Sequence, residues 1–79
     1  MTPAQCRAAR GLIDWTQTRL AEAAGVSLST VRDFETGKRQ PLSANVQAMR
    51  AAIEAAGVIF VMPGRSGGGG VRLAHRPRS

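Results

Sequence analysis

The sequence has few of the residues on which metal sites, disulfides and membrane spans depend. It contains one cysteine and one histidine, Cys6 and His75, which cannot form an internal disulfide or supply the ligands of a zinc site. No run of about eighteen apolar residues is available to cross a membrane, and the N-terminus lacks the basic start and apolar middle of a signal peptide. We therefore expect a cytoplasmic protein that binds no metal, no cofactor and no membrane.

Catalytic groups are also scarce. An enzyme needs a nucleophile with a base, a pair of carboxylates or a bound metal in a pocket. The five acidic residues do not cluster along the chain, Cys6 falls on the apolar side of a predicted helix, and His75 lies near the C-terminus. The sequence therefore predicts that the protein is not an enzyme.

Basic residues are what the sequence has in excess. Eleven lysines and arginines against five acidic residues give a formal net charge of +6 at pH 7 and a pI near 11.6, which favours a polyanionic partner. A single domain of 79 residues has a small core, because it buries only about 60% of the surface that its unfolded chain exposes. Since no disulfide or metal can stabilise it, we expect a partner subunit.

Capping residues and glycines divide the first part of the chain into four predicted helices. Residues that can cap them are Thr2 (in a capping box with Gln5), Thr16, Ser27 and Ser43. Glycines that can end them are Gly25, Gly37 and Gly57. The first three helices are expected over 3–13, 17–24 and 28–36, and the fourth from Ser43 to Gly57. Apolar positions at helical spacing, which we expect to face the core, are Cys6, Ala9, Ile13, Leu20, Ala21, Ala24, Val46, Met49, Ile53 and Ala56.

The pattern changes after the fourth helix, where the apolar run 58–62 predicts a β-strand. A glycine-rich loop over 63–70 follows, and 71–73 predicts a returning strand. A strand that is apolar on both faces needs cover on both, so we expect one face to lie on the fourth helix and the other on a second copy of the chain. The predicted dimer interface comprises Val58, Ile59, Phe60, Val61, Met62, Val71 and Leu73. The other interpretation is a disordered glycine-rich tail.

The chain therefore divides into a helical domain, residues 1–57, and a hairpin with a basic tail, residues 58–79. Within the helical domain, one continuous pattern runs from the second to the third helix. It comprises Thr16-Gln17, Leu20-Ala21, Ala24-Gly25-Val26-Ser27, Thr30-Val31 and Phe34-Glu35-x-Gly37. This pattern resembles the Cro/repressor-type, or Xre-type, helix-turn-helix family of bacterial and phage regulators.

The resemblance implies a mainly α fold, a four-helix lambda-repressor-like helix-turn-helix domain, with the C-terminal β-hairpin outside the core family pattern. It also implies a transcriptional regulator, a repressor, that binds double-stranded DNA sequence-specifically. Such a homodimer would bind a pseudo-palindromic operator. The alternative is an antitoxin-type protein-interaction module that also binds DNA and has a toxin as its protein partner.

The predicted third helix has two different sides. At about 100° per residue, its core side comprises Thr30, Val31 and Phe34. The opposite side carries the candidates for base contacts in the major groove: Leu28, Ser29, Arg32 and Asp33. Arg32 can bind O6 and N7 of guanine, Leu28 can contact a thymine methyl, and Asp33 can accept from cytosine N4 or orient Arg32. Alternatively, Arg32 and Asp33 form an ordinary solvated charge pair.

Contacts to the DNA backbone are expected on both sides of that helix. Gln17 begins the second helix, where N–H groups and the helix dipole favour an anion, and the resemblance implies that Gln17 binds a phosphate. Thr16 and Thr18 are secondary candidates. After the third helix, Lys38, Arg39 and Gln40 are predicted to contact phosphates, the alternative being a merely solvated loop. Arg72, Arg76 and Arg78 form either a further basic arm or an untethered tail.

Three residues are assigned to structure instead of DNA contact. The resemblance implies a structural ion pair between Arg10 on the first helix and Glu35 at the end of the third. Trp15 is expected to cover the core, and stacking on a base is the alternative. RNA binding is disfavoured because the sequence has no tyrosine and only two phenylalanines, which leaves no aromatic platform for bases.

Overall fold

In the part of the chain that the structure describes, four helices are followed by a two-stranded antiparallel hairpin. The computed structural model describes residues 1–61 and 69–74. The elements are α1 (Pro3–Ile13), α2 (Gln17–Ala24), α3 (Leu28–Thr36), α4 (Ser43–Ala55), β1 (Val58–Val61) and β2 (Gly70–Leu73). The predicted fold class, four helices and a C-terminal hairpin, is confirmed. The expectations for Met62, for most of the loop that follows it, and for His75, Arg76 and Arg78 lie outside the described residues.

The first three helices begin where local side-chain chemistry predicts, and α2 and α3 end at the predicted glycines. Thr2 and Gln5 form a reciprocal capping box on α1, and the side chains of Thr16 and Ser27 accept backbone N–H groups in the first turns of α2 and α3. Gly25 and Gly37 adopt left-handed conformations with φ of 70° and 73°. Glycine lacks the Cβ that disfavours this conformation, so it can close a helix at little cost. None of the described helices is long and apolar enough to span a membrane.

The start of α4 differs from the prediction. Ser43 does not cap this helix: it is the first helical residue, and Leu42 occupies the N-cap position without a side-chain hydrogen bond. The helix begins one residue early because the carbonyl of Leu42 already accepts the N–H groups of Asn45 and Val46. At the other end, Ala56 is the C-cap and is exposed, so its assignment to the core was wrong.

Among residues 1–61 and 69–74, one core lies between the helices and the hairpin. Its buried apolar residues are Cys6, Ala9, Leu20, Ala21, Val31, Phe34, Met49, Ile53, Val58 and Phe60. In this core α2 packs against α3 and α4, and α1 packs against α3. Thr30, predicted on the core side of α3, is only half-buried.

The two faces of the hairpin have different surroundings. Val58 pairs with Leu73 and Phe60 with Val71 on the inner face, which packs against α1 as well as α4. Val58 and Phe60 are buried in the protein's own core. Val58 and Phe60, which the predicted dimer interface included, are therefore not available to a second copy, because side chains buried in the core cannot also meet one. Val71 and Leu73 are half-buried, and their part in an interface stays a prediction. The outer face carries Ile59, Val61 and Arg72, which are exposed.

Gln5 joins the start of α1 to the hairpin. Its Nε2 donates to the carbonyl oxygens of Val61 (3.3 Å) and Gly70 (3.2 Å), one on each strand. Its Oε1 accepts the N–H of Thr2 at 2.9 Å. Because Gln5 is buried, these bonds replace water around its amide, and the capping box of α1 thereby also clamps the end of the hairpin.

Replacing Gly69 with alanine should break this clamp. A Cβ at residue 69 would lie 2.9 Å from Nε2 of Gln5 and 3.0 Å from the carbonyl oxygen of Val61. Gln5 would have to move away from both strands, and we expect the free energy of unfolding to fall by about 1–3 kcal/mol. In Gly70→Ala the new Cβ meets no atom within 4 Å, so the change should stay within about 0.5 kcal/mol. Urea unfolding followed by circular dichroism measures both, and equal stabilities would contradict the clamp.

Candidate nucleic-acid interface

The outward side of α3 carries the predicted base-contacting residues. Ser29 and Arg32 are exposed, and Leu28 and Asp33 are half-buried. Val31 and Phe34, on the opposite side, are buried. Arg32 forms no ion pair with any residue that the structure describes, Asp33 included. The interpretation of Arg32 and Asp33 as a solvated charge pair therefore has no support in the structure, and the guanidinium faces outward.

Hydroxyl groups surround the start of α3. The Oγ of Ser27 accepts the N–H of Thr30 at 3.1 Å, which caps the helix. The same oxygen lies 3.1 Å from the Oγ of Ser29 and 2.8 Å from the Oγ1 of Thr30. These three side chains can donate or accept hydrogen bonds, as base edges in the major groove require.

The start of α2 offers free N–H groups. Thr16 accepts the N–H of Arg19 at 3.0 Å through its side chain. The backbone N–H groups of Gln17 and Thr18 have no acceptor among the described residues, as is usual in the first turn of a helix. Thr16 and Thr18 are exposed and Gln17 is half-buried.

Gln17 also makes a contact that sequence reasoning missed. Its side-chain Nε2 donates to Oε1 of Glu35 at 3.0 Å. A signal for this contact was present, because Gln17 precedes Ala21 and Ala24 at helical spacing and so continues the inward stripe of α2. A polar residue on such a stripe needs a buried partner.

The basic loop after α3 folds back on that helix. The N–H groups of Lys38 and Arg39 donate to the carbonyl oxygen of Asp33 at 3.0 Å and 3.4 Å. Lys38, Arg39 and Gln40 are exposed. The backbone of these two basic residues is therefore held at the C-terminal end of α3, with both side chains exposed.

The carboxylate of Glu35 is the point at which three helices meet. Arg10 on α1 donates to both of its oxygens, at 2.6 Å from Nε and 2.7 Å from Nη2. The Sγ of Cys6 donates to Oε2 at 3.0 Å, and Gln17 binds Oε1 from α2. Glu35 is only 2% exposed, so its charge is taken out of water and compensated by these donors. Arg7 donates in addition to the carbonyl oxygen of Glu35.

The ionisation of this group follows from its contacts. Burial alone would raise the pKa of Glu35, but the hydrogen bonds from Arg10, Gln17 and Cys6 outweigh burial and hold the pKa below its usual value. The hydrogen bond to Glu35 raises the pKa of Arg10. Both partners are therefore charged at neutral pH. Because the pKa of Glu35 is lower in the folded chain, the stabilisation is present above the unfolded value and is lost as the pH falls through the folded pKa.

The Cys6 thiol is not arranged for nucleophilic or metal chemistry. Burial, followed by its contact with Glu35, raises the pKa of Cys6, so the thiol keeps its proton and serves as a hydrogen-bond donor. Within residues 1–61 and 69–74, no three histidine, cysteine or acidic residues are grouped so that they could hold a metal ion.

Trp15 lies against the core just before α2. It is half-buried, and the guanidinium of Arg19 stands over its ring, 5.1 Å from the centroid. The carbonyl oxygen of Trp15 accepts Nη1 of Arg10 at 2.9 Å. A ring that packs on the core and carries a cation has little free surface for a base, which favours the expected covering role.

Replacing Glu35 with glutamine should destabilise the fold strongly at neutral pH. Arg10 would lose its charged partner in a largely buried site, and we expect the free energy of unfolding to fall by about 3–5 kcal/mol. The difference from the wild type should shrink as the pH falls from the ordinary pKa of glutamate, about 4.3, through the lower pKa of Glu35 in the folded chain, where the wild-type carboxylate takes up a proton. Urea unfolding at several pH values measures both effects.

The control for this variant is Glu54→Gln. Glu54 forms an exposed pair with Arg50 one helical turn away, at 3.4 Å, and such pairs contribute about 0–1 kcal/mol. Similar losses for the two variants, or a loss in Glu35→Gln that does not depend on pH, would contradict the assignment of Glu35 as a buried charged group.

Comparison with known proteins agrees with this geometry. The helix-turn-helix family profile HTH_3 matches residues 7–54, more than half of the chain, and the matched region includes α2, the turn at Gly25 and α3. No curated protein matches the chain. The chain belongs to the helix-turn-helix family of Xre/Cro-type DNA-binding regulators.

Proposed function

We propose that the protein is a transcriptional repressor that binds a pseudo-palindromic operator in double-stranded DNA as a homodimer. The observation that carries this proposal is the exposed side of α3, on which Ser29 and Arg32 face outward between two groups of backbone-binding candidates. Those groups are the free N–H groups at the start of α2 and the basic loop 38–40. Occupying an operator is enough to block transcription and needs no other surface.

Sequence reading is assigned to the outward side of α3. The major groove admits a helix, and residues near the N-terminus of that helix meet base edges. Arg32 has the length and the free guanidinium to bind O6 and N7 of one guanine. Leu28, Ser29 and Asp33 complete the proposed set of base contacts, with Leu28 against a thymine methyl.

Positioning on the DNA is assigned to the groups on either side of α3. Lys38 and Arg39 are exposed and held beside the end of α3 by their N–H groups, so they can reach phosphates while α3 lies in the groove. Gln40 follows them. At the other end, the free N–H groups of Gln17 and Thr18, with Thr16, would bind a second phosphate.

Dimerisation is assigned to the outer face of the hairpin. Ile59 and Val61 are 36% and 41% exposed although both are large and apolar. They lie on the face that α1 and α4 leave uncovered, which supports a second copy of the chain as their cover. The α3 helices of the two copies would then be free to meet successive half-sites on the duplex.

Two alanine variants should separate the reading of bases from the contacts that position the protein on the DNA backbone. Arg32→Ala should lose preference at one base pair, by about 1–3 kcal/mol, and change little at the others. Lys38→Ala should weaken binding to all sequences and lower the slope of log K against log salt by about 0.9, since one phosphate contact is lost. Selection from a random DNA pool, followed by salt titrations, measures both.

Arg50→Gln is the control for lost positive charge. Arg50 lies on α4, is paired with Glu54 and stands over the ring of Phe60, so it is engaged away from the proposed interface. Its replacement should leave base preference and salt slope unchanged. An equal loss of affinity on every sequence for Arg32→Ala would exclude a base-reading role for Arg32.

The dimer is tested with charges on the outer face. Ile59→Asp should give a monomer in sedimentation equilibrium, because a carboxylate cannot be buried unpaired between two copies. Deleting the hairpin would be uninformative, since Val58 and Phe60 belong to the core. Leu12→Asp is the matched control, because Leu12 is an apolar residue of α1 that is 41% exposed. A dimer that survives Ile59→Asp, or dissociates equally in Leu12→Asp, would place the interface elsewhere.

A further inference from the structure

Glu35 contacts the two segments that the proposed function brings to the DNA. It belongs to α3, which reads the bases, and its Oε1 accepts the side-chain amide of Gln17 at the start of α2. Its ion-pair partner Arg10 donates to the carbonyl oxygen of Trp15, two residues before Gln17. The buried pair therefore holds both the side chain and the preceding backbone of the first residue of α2.

We propose that Glu35 is a positioning residue for DNA-backbone binding, which holds the carboxamide of Gln17 in place for a phosphate. This role rests on the proposed function, because it requires that Gln17 contacts the backbone. It assigns to the buried ion pair a task in DNA binding in addition to its part in the fold. Neither Glu35 nor Arg10 touches the DNA in this arrangement.

The hydrogen-bond inventory of Gln17 allows both contacts at once. A glutamine amide has two N–H donors, and the bond to Glu35 uses one of them. The second N–H is left for a phosphate oxygen, beside the free backbone N–H groups of Gln17 and Thr18. A free glutamine side chain loses much of its rotational freedom when it binds a phosphate, which costs conformational entropy. Because Glu35 already holds the side chain of Gln17 in the folded protein, this cost no longer reduces the affinity for DNA.

The charge of Glu35 does not oppose a phosphate nearby. Arg10 binds both of its oxygens, at 2.6 Å and 2.7 Å, and the thiol of Cys6 adds a third donor. The carboxylate is thus neutralised within the molecule and shielded from the solvent. The group nearest the DNA in this arrangement is therefore the neutral amide of Gln17, which Glu35 holds.

A double-mutant cycle between Glu35→Asp and Gln17→Ala tests the proposal. Aspartate keeps the charge for Arg10, but its shorter side chain withdraws the acceptor from Gln17. Binding is measured by fluorescence anisotropy on a labelled duplex of the operator selected from a random pool, and on an unrelated duplex. Thermal unfolding of each variant is measured alongside. Glu54→Asp makes the same chemical change on an exposed carboxylate of α4 and is the control.

We expect Glu35→Asp to weaken binding to both duplexes by roughly threefold to tenfold when Gln17 is present, the size of effect that one fixed side chain can give. In the Gln17→Ala background it should change the affinity little further, while its effect on the melting temperature persists. Equal losses of affinity in both backgrounds would overturn the positioning role and leave the backbone contact standing. If Gln17→Ala alone left the affinity unchanged, both the positioning role of Glu35 and the contact of Gln17 with the DNA backbone would be overturned.

A measurement on the wild-type protein gives a second test that needs no variant. Side-chain ¹⁵N relaxation reports the mobility of each glutamine amide on the picosecond to nanosecond timescale. The amide of Gln17 should be rigid before DNA is added, whereas the amide of Gln47, exposed on α4, should be mobile. Equal mobility of the two amides would overturn the proposal.

Discussion

The buried pair of Glu35 and Arg10 is the interaction on which the rest of the structure depends. Two charges are removed from water between α1 and α3, and each is acceptable there only because the other is present. The pair also orders the entry to α2 through Trp15 and Gln17. The ion pair thus connects α1, the start of α2 and the end of α3, and acts on the helix-turn-helix unit together with the apolar core between its two helices.

The hairpin extends the same small core. Val58 and Phe60 pack against α1 and α4 and complete this core. Gln5 binds the last residue of β1 and the first residue of β2. Since a chain of this length buries few side chains, two more from β1 are a substantial share of its apolar stabilisation. On the outer face of β1, Ile59 and Val61 remain exposed and form a short apolar surface.

Local signals carried much of the prediction. Thr2, Thr16 and Ser27 cap their helices, and glycines at 25 and 37 close two of them, because these effects act within one turn of chain and need no distant partner. The same reasoning failed at Ser43, where two residues could start the helix and propensity preferred the wrong one. It also placed Ala56 in the core, because helical periodicity does not show where the neighbouring elements stop.

The sequence by itself determined the bounds of most helices, the two strands and which side of α3 is apolar, since these follow from spacing, capping and composition. The family came from the resemblance of the residues from Thr16 to Gly37. Only the tertiary structure decided which face of the hairpin is covered. Successive side chains of a strand point to opposite faces, but this rule does not show which helices pack on either face. It also decided the partner of Gln17. Residues 17 and 35 are brought together by the packing of α2 on α3, and no local rule connects an amide with a carboxylate eighteen positions away.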